Sequence, residues 1–249
     1  MPKFFVISDI HGFYSIMKKA LDEAGFDPNN KDHYLISLGD AFDRGNECNE
    51  VLDFLLSLNR KILIRGNHED LLEYLCERKY WKTHDIVNGT MNTISQFSNF
   101  LSDNIEEVYN TALQKVTPYL KQLINYYETE KYVFVHGWIP IIKHFTYFGD
   151  ERYEYLKNWR NAEDKDWEAA RWFSGIQGFE EKLLEPNKTI ICGHWHVSEA
   201  HSKFHNIGSE FGEDACFDIF QDEGILMIDA CTAYSQKMNV LTIEDNLLE

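Results

Sequence analysis

Five short apolar runs in this chain each stop at a polar residue with a glycine close by, and that recurrence limits the fold more than any other feature. Residues 3–8 end at Asp9, residues 34–38 at Gly39-Asp40 and residues 61–65 at Gly66-Asn67; later, residues 132–135 end at His136-Gly137 and residues 189–192 at Gly193-His194. Such runs read as buried strands. Between the first three lie helical patterns. Residues 14–24 carry Ile16, Met17, Ala20, Leu21 and Ala24 at helical spacing, with Gly25 as the stop. Residues 47–58 carry Val51, Leu52, Phe54, Leu55 and Leu58, with Asn46 as the expected cap. A third helix is expected from residues 69–77. This order predicts a parallel βαβαβ unit.

The pattern then changes. Residues 78–130 hold no strand of comparable strength and carry helical stretches at 105–115 and 119–127, so they read as a helical cap insertion. Residues 138–178, rich in aromatic and charged side chains, read as a loop-and-helix lid over the site. Strands at 225–229 and 239–243 close the chain. No internal repeat or low-complexity linker is present, and residues 1–249 read as a single domain of the α/β class.

Charge narrows the function. Lys and Arg total 24 against 41 Asp and Glu, a formal charge of −17. Such a chain repels nucleic-acid backbones and anionic lipids, so neither a nucleic acid nor a membrane is an expected partner. No stretch approaches the apolar length of a membrane span. The apolar run at the N-terminus is too short for a signal peptide and no small-residue cleavage site follows it. The five cysteines lack CxxC spacing, and free thiols in a reducing cytoplasm are expected.

In open α/β sheets, ligands bind beyond the carboxyl ends of the strands. Five segments would therefore deliver Asp9 and His11; Asp40, Asp43 and Arg44; Asn67, His68 and Glu69; His136; and His194 with His196 to one edge. Taken singly, each has a bland reading: Asp-x-His is a capped turn, Asn67 a helix cap, His136 a satisfied core histidine. Gly39-Asp40-Ala41-Phe42-Asp43-Arg44-Gly45 is harder to dismiss, because two carboxylates and an arginine between glycines make poor core. Together they point to a dinuclear metal site. Carboxylate, imidazole and amide donors suit Mn²⁺, Fe or Zn²⁺ better than Ca²⁺. Bound cations would also supply the positive field that an acidic chain needs to hold a phosphate.

Ser8-Asp9-Ile10-His11-Gly12, Gly39-Asp40-Ala41-Phe42-Asp43-Arg44-Gly45, Gly66-Asn67-His68-Glu69, His136-Gly137 and Gly193-His194 together resemble the calcineurin-like metallophosphoesterase superfamily, in its phosphoprotein phosphatase branch. The branch often has Gly where Ser8 stands. The resemblance implies a four-layer αββα sandwich. It implies that Asp9 and His11 bind a first metal, that Asp40 bridges, and that Asn67, His136 and His194 bind a second. The Gly-His-x-His form of Gly193-His194-Trp195-His196 is typical of the wider superfamily and adds His196 as a seventh ligand. His68 is implied as the acid that protonates the leaving oxygen, oriented by Asp43, and Arg44 as a phosphate clamp. A second clamping Arg is expected from the segment after the fourth strand, with Arg171 favoured and Arg160 next.

The activity implied is phosphoester hydrolysis by hydroxide generated between two divalent ions, Mn²⁺ first, with Fe or Zn²⁺ as alternatives. The substrate is a phosphoprotein, a nucleotide or a small phosphoester. The leading reading is a serine/threonine-phosphatase-like phosphomonoesterase. Its rival is a hydrolase of dinucleoside polyphosphates such as diadenosine tetraphosphate. A third reading, a non-catalytic scaffold, conflicts with the presence of every ligand, His68 and Arg44. Trp138, Trp159, Trp167 and Trp172 read either as a stacking platform for a nucleobase or as the small core of a lid; packing is the preferred reading.

Overall fold

The first strand, β1 (Lys3–Ile7), shows how the layers arise. Side chains alternate across a sheet, and in the computed structural model, which describes residues 2–99, 103–145 and 147–246, all four of Phe4, Phe5, Val6 and Ile7 are buried. Phe5 and Ile7 pack among helices; Phe4 and Val6 pack against a second sheet. A strand buried on both faces needs a layer on each side.

The chain continues through α1 (Tyr14–Glu23), β2 (His33–Ser37), α2 (Cys48–Ser57), β3 (Lys61–Ile64) and α3 (Asn67–Arg78), with β1, β2 and β3 parallel. Three helices follow, α4 (Thr83–Val87), α5 (Thr90–Ser98) and α6 (Ile105–Leu120), then β4 (Leu123–Ile124), β5 (Tyr127–Glu128) and β6 (Tyr132–Phe134). A hairpin of β7 (Ile141–Phe145) and β8 (Glu151–Tyr155) precedes α7 (Asp164–Trp172), α8 (Gly175–Glu180), β9 (Thr189–Cys192) and α9 (Val197–Ala200). The described chain ends with β10 (Phe220–Asp222), β11 (Ile225–Met227), α10 (Thr232–Ser235) and β12 (Leu241–Glu244).

One sheet runs β12-β1-β2-β3-β4 and the other β10-β11-β9-β6-β5. Between them lie Phe4, Val6, Ile36, Leu38 and Ile64 from the first sheet and its β2 exit, and Phe134, Ile191, Leu226 and Ile228 from the second. The outer face of the first sheet carries helices, with Met17, Leu52, Leu72, Ile94 and Tyr109 among the packed residues. The outer face of the second packs Val133, Ile190 and Met227 against Trp138, Trp159, Trp167 and Ile176. These are the four layers of an αββα sandwich.

Several local expectations give way to tertiary context. The helix expected at 119–127 does not form beyond Leu120, the last residue of α6: Leu123 and Ile124 pair with Leu63 and Ile64 at the sheet edge. Asn46 does not cap α2; Glu47 occupies that position without a side-chain cap. The segment at 138–178 contains a β-hairpin where loop was expected. Asp245, beyond the last expected strand, is buried and accepts the Lys131 amide at 3.0 Å. The last three residues, together with 100–102 of the helical segment and 146 of the lid, lie outside the described residues.

Candidate metal centre and catalytic site

The carboxyl ends of β1, β2 and β3 face those of β6, β9 and β11 across the sandwich, and the polar residues that follow them meet there. His11 Nε2 lies 3.9 Å from Asp9 Oδ1 and 3.8 Å from Asp40 Oδ2. His136 Nε2 lies 3.3 Å from Asp40 Oδ1 and 2.8 Å from Asn67 Oδ1. The rings of His136 and His194 are 5.1 Å apart, and the His194 amide donates to Asp9 Oδ2 at 3.0 Å. Asp40 thus stands between two groups of donors, one with His11 and His68 and one with His136 and His194.

The backbone is bent to achieve this. Asp9, His11, Asp40, Asp43, Arg44 and His194 all have φ between 49° and 73°, a region that side chains other than glycine enter at a cost. Glycines make the close approaches. A Cβ on Gly193 would overlap Ser8 Oγ and Asp9 Oδ2, and one on Gly66 would overlap Asp40 Oδ1.

The donor set fits divalent cations. Asp9 and Asp40 are 1% and 2% exposed and, among the described residues, meet no lysine or arginine in an ion pair. Uncompensated buried carboxylates are costly. Burial raises the Asp9 carboxyl, offset only in part by His136. Burial also lowers His11 well below the ordinary histidine range, and lowers His194 to about 3, so both rings are neutral at pH 7 as ligands require. His11 Nδ1 donates to the Phe42 carbonyl at 2.9 Å and His136 Nδ1 to the Leu38 carbonyl at 2.7 Å. These bonds fix the tautomer and leave each Nε2 lone pair facing the carboxylates.

His68 lies against the same group. Its Nε2 is 3.8 Å from Asp40 Oδ2, and its Nδ1 donates to Asp43 Oδ2 at 2.7 Å. Burial alone would lower its pKa, but the charge of Asp40 and the hydrogen bond and charge of Asp43 outweigh burial and push it up to about 9. A histidine backed by a carboxylate is the arrangement of a metal ligand and of a general acid alike. Arg44 is exposed, and its charge acts on both His11 and His68.

Three expected site residues are not brought in. His196 Nε2 meets Glu210 Oε1 at 2.9 Å, in a separate group with Glu199, because the chain turns into α9 directly after it. Arg160 binds Glu128 at 2.6 Å and Glu185 at 3.0 Å, and lies 4.2 Å above the Trp159 ring. Glu128 precedes β6, so Arg160 sits at the amino end of the second sheet, away from His136. Arg171 is buried, with Nε on Asp70 Oδ2 at 2.6 Å and Nη1 on Asn125 at 3.0 Å. It ties α7 to α3, with its Nε and Nη1 both engaged by these partners.

The structure also contributes residues that the motif reading left without a role. Glu69 accepts the backbone N–H groups of Asp40, Ala41 and Gly66 at 2.8–3.0 Å and so holds the Asp40 turn. Asp229 is buried after β11; burial and then the charge of Asp9 raise its carboxyl well above the ordinary range, and it accepts the Cys231 amide at 2.7 Å. Its place at a strand end was the available signal. Thr90 and Thr93 of α5 reach Asp43, and nothing in the motifs marks them. Of the aromatic segment, Trp138, Trp159 and Trp167 are core, while Trp172 is 48% exposed.

The family model of calcineurin-like phosphoesterases matches residues 2–228. Serine/threonine-protein phosphatase 2 of Salmonella typhimurium is 29% identical over 197 residues, covering 76% of this chain and 78% of that one. The symmetrical bis(5'-nucleosyl)-tetraphosphatase of Proteus mirabilis is 33% identical over 90 residues, so that match spans 35% of this chain and about a third of that enzyme, 32%. A protein serine/threonine phosphatase from Saccharomyces cerevisiae shares the fold at 14% identity, with a TM-score of 0.53, 100% of this chain and 81% of that one covered. With the site geometry and the match in agreement along nearly the whole sequence, this chain belongs to the calcineurin-like phosphoesterases and is a phosphoric ester hydrolase.

Proposed function

We propose that this chain is a serine/threonine-phosphatase-like phosphomonoesterase that works with two divalent cations in the cytoplasm. The observation that carries the reading is the meeting of buried Asp9 and Asp40 with the Nε2 atoms of His11 and His136, beside the His68–Asp43 pair. Asp9, His11 and Asp40 would hold one ion and Asp40, Asn67, His136 and His194 the other, with manganese first and iron or zinc as alternatives. When bound, such ions supply Lewis-acid polarisation of the phosphate and an acidic water at neutral pH. The chain's own residues do the rest. Arg44, exposed beside His11 and His68, offers its fork to two phosphate oxygens. As a water oxygen bonds to phosphorus and the ester P–O bond breaks, protonated His68 gives its Nε2 proton to the leaving oxygen, which keeps the bonding pair. General acids of this kind contribute about 10²–10⁴ in rate. The five free cysteines support a reducing compartment.

A second reading, hydrolysis of dinucleoside polyphosphates, is favoured by one observation. Trp172 and Trp195 are 48% and 39% exposed, and each ring centroid lies 6.1 Å from that of His194. Exposed rings beside a ligand form a surface on which a nucleobase can stack.

The test is turnover of a phosphoserine peptide, diadenosine tetraphosphate and 4-nitrophenyl phosphate by the purified chain loaded with Mn²⁺. Preference for the peptide supports the first reading and preference for the dinucleotide the second. No turnover of any of them with two ions bound per chain sinks both and leaves the scaffold.

A further inference from the structure

The face of α5 that carries Gly89, Asn92, Thr93 and Gln96 points inward, onto the loop that follows β2. Asn92 Nδ2 and Gln96 Nε2 donate to the Gly45 carbonyl at 2.8 and 3.0 Å, and Gln96 Oε1 accepts the Cys48 amide at 2.8 Å. Gly89, at φ 86°, lets the helix start directly against the Arg44 backbone, where a Cβ would overlap it. At the centre of this contact, Thr93 Oγ1 donates to Asp43 Oδ1 at 2.6 Å and accepts the Asp43 amide at 2.9 Å, while Thr90 Oγ1 donates to Asp43 Oδ2 at 2.9 Å. Both threonines are fully buried.

We propose that Thr90 and Thr93 are positioning residues that act through Asp43 on His68; the inference rests on the acid role given to His68 above. A carboxylate has several acceptor directions and two equivalent oxygens. On its own, Asp43 could meet His68 through either oxygen and at many angles. The two hydroxyls occupy one side of each oxygen and leave one acceptor site on Oδ2 aimed at His68 Nδ1. The ring is thereby held with Nε2 toward the reacting phosphate. The helical segment between β3 and β4 is then part of the catalytic apparatus, because precise geometry depends on the residues that hold a catalytic group as well as on the group itself.

The experiment uses the Mn²⁺-loaded full chain, with Thr93→Val, the double variant Thr90→Val/Thr93→Val, and Thr93→Ser. Substrates are 4-nitrophenyl phosphate, whose leaving group needs no proton, and phenyl phosphate, whose leaving group does. The valine variants should lose about tenfold or more in kcat on phenyl phosphate and less than about threefold on 4-nitrophenyl phosphate, as loss of general-acid alignment predicts. KM and metal content should hold, and Thr93→Ser should restore the rate. Equal loss on both substrates, or no loss on either, overturns the proposal. His68→Asn is the control for the acid role. If it shows no leaving-group dependence, that role has failed, and the decisive readout becomes the low-field imidazole N–H proton of His68 in the metal-free chain. A resonance unmoved in the double variant then overturns the positioning role, and a lost or shifted one sustains it.

Discussion

Glu69→Gln would set an amide where the Asp40, Ala41 and Gly66 backbone N–H groups now meet a carboxylate. One of the two oxygens becomes an NH₂ that faces another donor. A buried donor left without its acceptor costs about 1–3 kcal/mol, so urea unfolding should show a loss of that size. The strained Asp40 turn relies on these bonds, so metal affinity should fall as well. An unchanged unfolding midpoint would show that the turn holds itself. His68→Asn tests a different property: kcat should fall by about 10²–10⁴ with metal content unchanged. If the variant loses its ions but keeps its activity per bound ion, His68 is a ligand and not an acid. Cys231 titrates on its own account. Burial, and then the charge of Asp229, push its thiol up to about 11. A raised thiol pKa leaves less thiolate, about one part in 10⁴ at pH 7, and thiolate is the nucleophile. Alkylation of Cys231, followed by peptide mass spectrometry, should therefore speed up about tenfold per pH unit from 7 to 10. Cys48, Cys76 and Cys192, which are buried, should stay protected in the native chain.

At the level of elements, the two sheets meet at the site through glycine, and the helices meet the second sheet through glycine as well, with different consequences. Gly193→Ala would drive a methyl group into Ser8 and Asp9, where the ends of β9 and β1 come together. Metal binding should be lost while the circular dichroism of the sheets and helices is retained. Gly178→Ala, on α8, would instead press on the Trp138 indole. Overpacking of this kind costs about 1–3 kcal/mol, and here it should lower the unfolding midpoint while leaving metal content per folded molecule intact. If the two variants behave alike, the division between the site edge and the outer helical layer is wrong. Strand existence and order in the βαβαβ unit were legible from apolar runs and their helical connections. The β7–β8 hairpin was not, because most of its residues are exposed and carry no core pattern. β4 was not either, since its two residues become a strand only through pairing with β3.

For the whole molecule, the net charge of −17 and the buried carboxylates of the site act in the same direction. A cation that binds only the folded chain stabilises it by about 2.7 kcal/mol at a hundred times its Kd. For a chain of this length each kcal/mol moves the midpoint by roughly 2–4 °C. Chelation should thus lower Tm by roughly 5–10 °C relative to the Mn²⁺-loaded chain by these two relations, measured by scanning fluorimetry. Asp40→Asn, which removes the proposed bridge, should abolish most of the difference; retention of two ions per chain would refute that role for Asp40.

What the sequence determined by itself was the set of strands and the chemical types at their ends. Periodicity and residue type are local properties, and a ligand must be a carboxylate, an imidazole or an amide wherever it sits. Asp9, His11, Asp40, Asn67, His136 and His194 were therefore visible as motifs, and the structure gathers them. Only the tertiary structure decided which partner each remaining polar group meets. Arg171 reads alike as a clamp or a tie until Asp70, 101 residues away, takes its Nε. Thr93 reads as an ordinary helix residue until Asp43, 50 residues away, closes on it. His196 continues a ligand motif, yet turns to Glu210. A hydrogen bond or ion pair is made with whatever the packed chain brings within about 3 Å, and no local pattern records that.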